Sequence, residues 1–271
     1  MVEKPLVSVL MTAYNRQKYI GDAIESVLSS SYKDFELIIV DDGSTDNTVE
    51  IAHTYKDSDS RIQVHVNEKN LGDYPNRNKA AGLAKGKYIK YLDADDMIYY
   101  YGLEVMIHSM EQFPKAGFGL AAMVSDEKPF PIELSPRESY MEHFNRYSHF
   151  NRAPGSSIIK TEAFNRVGGF SGKRMIGDNE FWFKIARYFN MVKFPFDLYW
   201  NRIHHEQESK TVYAKKYPSL IKQVVSEALK NPDCPLTSDD LNLVKNIMRK
   251  NEYKGLFFNT ISKIKSSRKR K

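Results

Sequence analysis

The sequence predicts an α/β domain with a doubly wound, mostly parallel central sheet. β-favouring runs and amphipathic runs alternate regularly from residue 6 to residue 124, the pattern of strands joined by right-handed helical crossovers. The first strand-like runs show little in/out alternation, as strands covered on both faces should. Acidic and polar residues gather where these runs end, and ligands of open α/β sheets bind at the carboxyl ends of strands.

In order, Leu6 to Met11 is the first strand, and Ile20, Ala23, Ile24, Val27 and Leu28 then share one helix face. Phe35 to Val40 is the second strand. It runs into Asp41-Asp42-Gly43-Ser44, and Ser44 or Thr45 is expected to cap a helix carrying Val49, Ile51 and Ala52. Ile62, Val64 and Val66 make a third strand. Pro75 suits the first turn of a helix over 77–84, which Gly86 is expected to end. The strand Tyr88 to Leu92 delivers Asp93, Asp95 and Asp96, and a helix over 103–112 and a strand over 118–124 follow.

Residues 125–153 lose the alternation and carry several prolines, so they read as loop and short irregular helix. A strand over 157–160, a short helix over 161–166, a helix over 179–189 burying Phe181, Ile185 and Tyr188, and a strand near 198–203 complete the pattern. From Lys215 onward it is helical. The expected organisation is a nucleotide-binding half over 1–124, an acceptor and catalytic half of the same domain over 125–213, and a C-terminal helical extension over 214–271.

The net charge of +6 resides in the last nine residues, which hold six Lys or Arg, so residues 1–262 carry no net charge. A neutral body with a carboxylate cluster is poorly suited to gripping nucleic acid. One cysteine, Cys234, excludes a disulfide framework or Cys-rich zinc site and suits a reducing compartment. No stretch approaches 18 apolar residues and the start lacks a secretory h-region, so the expected location is cytoplasmic.

Three carboxylates within Asp93-Ala94-Asp95-Asp96 repel one another unless a cation lies between them, which points to a divalent metal; the competing reading is an acidic turn capping the next helix. Thr12-Ala13-Tyr14-Asn15 and Asp41-Asp42 end the first two strands on the same edge. A tyrosine there offers a flat face to a base and a carboxylate can accept an imide N–H, although Asp-Gly-Ser is also a plain turn. Arg77 places a guanidinium near that edge, or on a solvated helix face.

The segments V-S-V-L-M-T-A-Y-N, D-D-G-S-T-D, N-L-G-D-Y-P-N-R-N and Y-L-D-A-D-D, in this order, resemble the family 2 inverting glycosyltransferases of the GT-A fold. The resemblance implies a nucleotide-sugar donor, usually uridine-linked, and a hexosyl- or N-acetylhexosaminyl-transferase. It assigns Thr12, Ala13, Tyr14 and Asp42 to the base pocket with Arg77 in support, Asp93 to the ribose side, and Asp95 to a Mn²⁺ or Mg²⁺ bridging the diphosphate. Gly177-Asp178-Asn179-Glu180 occupies the place of the general base. Many members have an acid where this chain has Gly177, so Asp178 is the candidate and Glu180 the fallback. Arg202-Ile203-His204 resembles an Arg-x-His element, putting Arg202 on the diphosphate side and His204 near the metal, although a surface histidine pair fits as well. Trp182 is a candidate apolar wall for the sugar, or a core aromatic. The Gln-x-x-Arg-Trp motif of processive synthases is absent, so a single transfer per encounter to a glycan or lipid-linked acceptor is expected.

Tyr253, Leu256, Phe257, Ile261 and Ile264 share a helical face just before the basic cluster, which suits a helix lying on an anionic membrane surface or, equally, one packed on the domain before a solvated tail. Two other classes compete with the enzyme: a catalytically silent nucleotide- or carbohydrate-binding module, and a sugar nucleotidyltransferase.

Overall fold

The computed structural model describes residues 5–122, 128–195, 198–205 and 215–250. The expected membrane-facing segment over 253–264 and the basic tail lie outside the described residues.

An eight-stranded sheet runs through the domain in the order β3-β2-β1-β4-β8-β6-β9-β7. Its strands are β1 (Val7–Ala13), β2 (Phe35–Asp41), β3 (Ile62–Val66), β4 (Tyr88–Asp93), β6 (Ala116–Ala122), β7 (Ile132–Leu134), β8 (Ser157–Lys160) and β9 (Asn190–Pro195). β1, β2, β3 and β4 pair in parallel, whereas β8 runs antiparallel between β4 and β6. β9 rejoins β6 in parallel and β7 closes the edge antiparallel. The doubly wound, mostly parallel reading therefore holds, with antiparallel strands confined to the second half.

The Val/Leu-rich strands are buried on both faces. Val9 and Met11 face one core with Leu37 and Ile39, and Leu10 faces the other with Ile38 and Val40. The first core is covered by α1 (Ile20–Leu28), α2 (Thr48–Ser58) and α4 (Gly102–Glu111), the second by α3 (Asp73–Leu83), α6 (Thr161–Val167), α7 (Gly177–Ile185) and α8 (Tyr217–Lys230). In the parallel register Ala13 lies opposite Asp41 and Thr12 opposite Asp93, so β1, β2 and β4 end level with one another. That common edge positions the site.

Several local expectations are corrected. Ser44 caps no helix: its hydroxyl donates to Asp41 and accepts the Asn15 N–H, while the Thr48 N–H at the start of α2 donates to Asp46. α3 ends at Leu83 with Ala84 extended, and Gly86 instead passes so close to β1 that a Cβ would sit 2.6 Å from the Ser8 nitrogen. The helix expected over 179–189 is α7, and Tyr188 beyond its end is exposed. The region expected to be loop and short irregular helix holds a short helix, α5 (Pro136–Glu142), started by a Ser135/Glu138 capping box with Pro136 in the first turn, and also the unexpected strand β7. β9 was not legible as a strand. The segment near 198–203 forms only β10 (Tyr199–Trp200), paired antiparallel with β5 (Met97–Ile98). A further helical stretch over 238–250 is tied down by Val244 in the core and by a two-bond ion pair from Arg137 to Asp240, each bond 2.7 Å. No described helix is long and apolar enough to cross a membrane.

Candidate active site

The level strand ends bring the first candidates together. Thr12, at the end of β1, donates its hydroxyl to Asp93 at 3.4 Å. The Ala13 carbonyl accepts the Asp42 N–H, so its part in any pocket is through backbone placement. Tyr14, past the strand end, keeps 45% of its surface exposed and is free to offer a ring face. Asp42 is buried and accepts from Asn67 Nδ2 at 2.7 Å and from the backbone N–H of Leu71 and Gly72 at 2.8 and 2.9 Å. Its carboxylate thereby shapes the loop between β3 and α3.

Asp93, Asp95 and Asp96 offer oxygens that all lie within 4.8 Å of one another. Each has separate partners. Asp93 accepts from Arg77 Nη2 at 2.6 Å, and burial raises its carboxyl despite that guanidinium. Asp95 Oδ2 meets Arg16 Nε at 2.8 Å and His204 Nε2 at 2.9 Å. Asp96 is buried, accepts the Arg202 N–H at 3.0 Å and the Asn201 amide, and is pushed up to about 7 by burial and then by Asp93 and Asp95. It caps no helix, because α4 begins only at Gly102. An oxygen-rich set joined by one imidazole fits a hard divalent ion, and the upward push on Asp96 comes first from its burial and then from its two acidic neighbours.

Pairing of β10 with β5 carries residues 201–204 back to this cluster. Arg202 Nε donates to the Asp95 carbonyl at 3.0 Å and Nη2 to Asp22 at 2.8 Å, with the guanidinium over Tyr19 and Trp200. His204 is placed on Asp95 rather than in a surface pair.

The opposite wall is built by α3 and α7. Arg77 is buried, bridges Asp73 at 2.7 Å and Asp93 at 2.6 Å, and leaves Nη1 buried without a partner. One turn earlier Tyr74 hydrogen-bonds with Asp178 in the first turn of α7. Burial pushes Asp178 up to about 6, against the lowering effects of the Asn179 N–H and the Tyr74 hydroxyl; Asp73 adds to the rise and Arg77 opposes it. The Tyr74 ring lies against Gly177, where a Cβ would approach it to 2.7 Å. That contact accounts for glycine at a place where the resembled family often has an acid.

Glu180 is held by Lys173 at 2.9 Å and by the Ser171 hydroxyl. Trp182 is wholly buried, stacked on Phe118 and donating to the Arg152 carbonyl at 2.7 Å, so it braces α7 from behind and presents no wall to a sugar. Sequence reasoning missed Arg16 and Tyr74. Arg16 stands just after the segment that ends in Tyr14-Asn15, and Tyr74 inside a segment that carries the resemblance, just before Pro75, but only their partners give them meaning.

The α/β sheet, its acidic strand-end cluster and the separate half-buried carboxylate of Asp178 agree with the resemblance to GT-A glycosyltransferases. The Glycosyl transferase family 2 model matches residues 8–178, and the chain belongs to that family. A Bacillus subtilis (strain 168) protein named provisionally as the teichuronic acid biosynthesis glycosyltransferase TuaG is 42% identical over 140 residues, 50% of this chain and 55% of that one. The uncharacterized glycosyltransferase MJ1057 of Methanocaldococcus jannaschii is 45% identical over 190 residues, 68% of this chain and 65% of its own. The chain thus spans between half and two thirds of these relatives' lengths. Among solved structures, S. aureus TarS 1-349 in complex with UDP-GlcNAc superposes with a TM-score of 0.69 at 19% identity, over 89% of this chain and 70% of that one.

Proposed function

We propose that the chain transfers one sugar, with inversion, from a uridine-diphosphate donor to a hydroxyl of a glycan or lipid-linked acceptor in envelope polysaccharide synthesis. The observation that carries this is the double duty of α3: Arg77 holds Asp93 in the acidic cluster while Tyr74, one turn away, holds Asp178. Donor end and base are thereby fixed to one helix. The UDP-GlcNAc of TarS and the teichuronic acid role in the name of TuaG support the donor and the acceptor class.

Tyr14 stacks on the base, Thr12 and Asp42 define its pocket with the Ala13 backbone, and Asp93 faces the ribose. Asp95, with Asp93 and His204, would hold Mn²⁺ or Mg²⁺, which when bound neutralises the diphosphate leaving group. Arg202 adds a fixed positive charge on the diphosphate side. Asp178 accepts the proton of the acceptor hydroxyl as that oxygen bonds to the anomeric carbon and the bond to the diphosphate breaks, a single displacement that inverts configuration. Its raised carboxyl is ionised at neutral pH yet basic enough to take the proton. Glu180, already paired with Lys173, is less suited.

Asp178→Asn should lower transfer by about 10² to 10⁴-fold while nucleotide affinity stays near that of the wild type. Persistent transfer would move the base elsewhere. Asp95→Asn should weaken metal-dependent nucleotide binding, and unchanged binding would remove Asp95 as a ligand.

A further inference from the structure

Asp95 pairs with a cation of its own chain, Arg16. The turn leaving β1 is pinned to the loop before α2: Asn15 has a positive φ of 53°, its N–H donates to Ser44 at 2.8 Å, and its side-chain oxygen accepts the Thr45 N–H at 2.9 Å. The Arg16 N–H donates to Thr48 at 2.7 Å. So held, the turn sends the guanidinium back across the strand ends, where Nε donates to Asp95 Oδ2 at 2.8 Å and Nη1 to the Tyr14 and Asn15 carbonyls at 3.1 and 3.2 Å. His204 Nε2 approaches the same Oδ2 at 2.9 Å.

A carboxylate oxygen carries two lone pairs, and both of these are engaged. A divalent ion reaching Oδ2 must displace one partner. An imidazole can turn its nitrogen to the metal, whereas a guanidinium has no lone pair to give and repels the ion. Arg16 is therefore the partner that leaves. Its Nη1 is tied to the carbonyl of Tyr14, the residue whose ring is exposed at this edge, and a guanidinium pairs with a phosphate bidentately as it does with a carboxylate.

We propose that Arg16 and the divalent cation compete for Asp95, and that a nucleoside diphosphate draws the guanidinium away, so that metal is taken up together with nucleotide rather than before it. This rests on the reading of Asp95 as a metal ligand. The test is Mn²⁺ titrated into the full chain, read by the electron paramagnetic resonance of free Mn²⁺, with and without UDP and without turnover. The wild type should bind Mn²⁺ weakly alone and more tightly with UDP. Arg16→Gln should bind Mn²⁺ alone about tenfold more tightly than the wild type, and the gain from UDP should shrink. If Arg16→Gln does not fold, Arg16→Met, which keeps the aliphatic stem, carries the same expectation. A variant that binds Mn²⁺ alone no better than the wild type, while the wild type still binds it with UDP, overturns the competition. A wild type that takes up no Mn²⁺ even with UDP overturns the metal reading and the competition with it.

Discussion

At the scale of single residues, the protonation of Asp178 is the sharpest handle. Burial holds its carboxyl near 6, above the ordinary aspartate range, and only the ionised form can accept a proton. Turnover should therefore fall as pH drops through about 6 and level off above it. Tyr74 hydrogen-bonds to the charged form and so holds the carboxyl down; Tyr74→Phe should move the inflection of the kcat/KM profile to higher pH. An inflection that stays in place would show that Tyr74 does not act on the base. Asp93 and Asp95 stood out in the sequence because acids cluster at a predicted strand end, whereas Asp178 was reached through the family resemblance. The residues that set the acids of the site apart, Arg16 on Asp95, Asn201 on Asp96 and Tyr74 beside Asp178, did not stand out: Arg16 and Asn201 lie in loops with no periodicity to mark them, and Tyr74 in α3 reads as one more buried helix aromatic.

At the scale of elements, the main-sheet strands of the first half and the helices that cover them were legible because they carry apolar runs buried against one sheet, whereas the two-residue β5 is too short to show a pattern. β9 escaped because Lys193 interrupts its apolar run. In the fold that lysine is buried and paired with Glu142 at 2.7 Å, a partner 51 residues away that sequence pattern cannot supply. α5 carried readable signs in Ser135-Pro136-Arg137-Glu138, yet its neighbouring prolines read as loop. The start of α7 depends on close approach: with Tyr74 against Gly177, Gly177→Ala should overpack the α3–α7 contact and cost about 1–3 kcal/mol of unfolding free energy by denaturant titration. Because the same ring carries the hydroxyl that bonds Asp178, the variant should also lose turnover. A variant as stable and active as the wild type would mean that Tyr74 has room to shift.

At the scale of the whole molecule, charge is separated along the chain. The body is neutral overall, and the net +6 sits in the last nine residues, after an amphipathic sequence pattern. If that end seats the enzyme on an anionic membrane, the full chain should co-sediment with vesicles containing anionic lipid at low salt and lose binding when residues 263–271 are deleted. Absence of binding at low salt would instead favour a packed helix and a solvated tail. A lipid-linked acceptor would gain from such seating, since enzyme and acceptor would share one surface.

Through Asp95 and Asp178 we propose metal-dependent transfer from a uridine-linked donor. The measurement that meets it most directly is UDP release by the full chain across a panel of UDP-sugars, with Mn²⁺ and again with EDTA. Release from at least one donor that requires Mn²⁺, and that is lost in Asp95→Asn, is the predicted result. Release that proceeds equally in EDTA, or survives in Asp95→Asn, would contradict it.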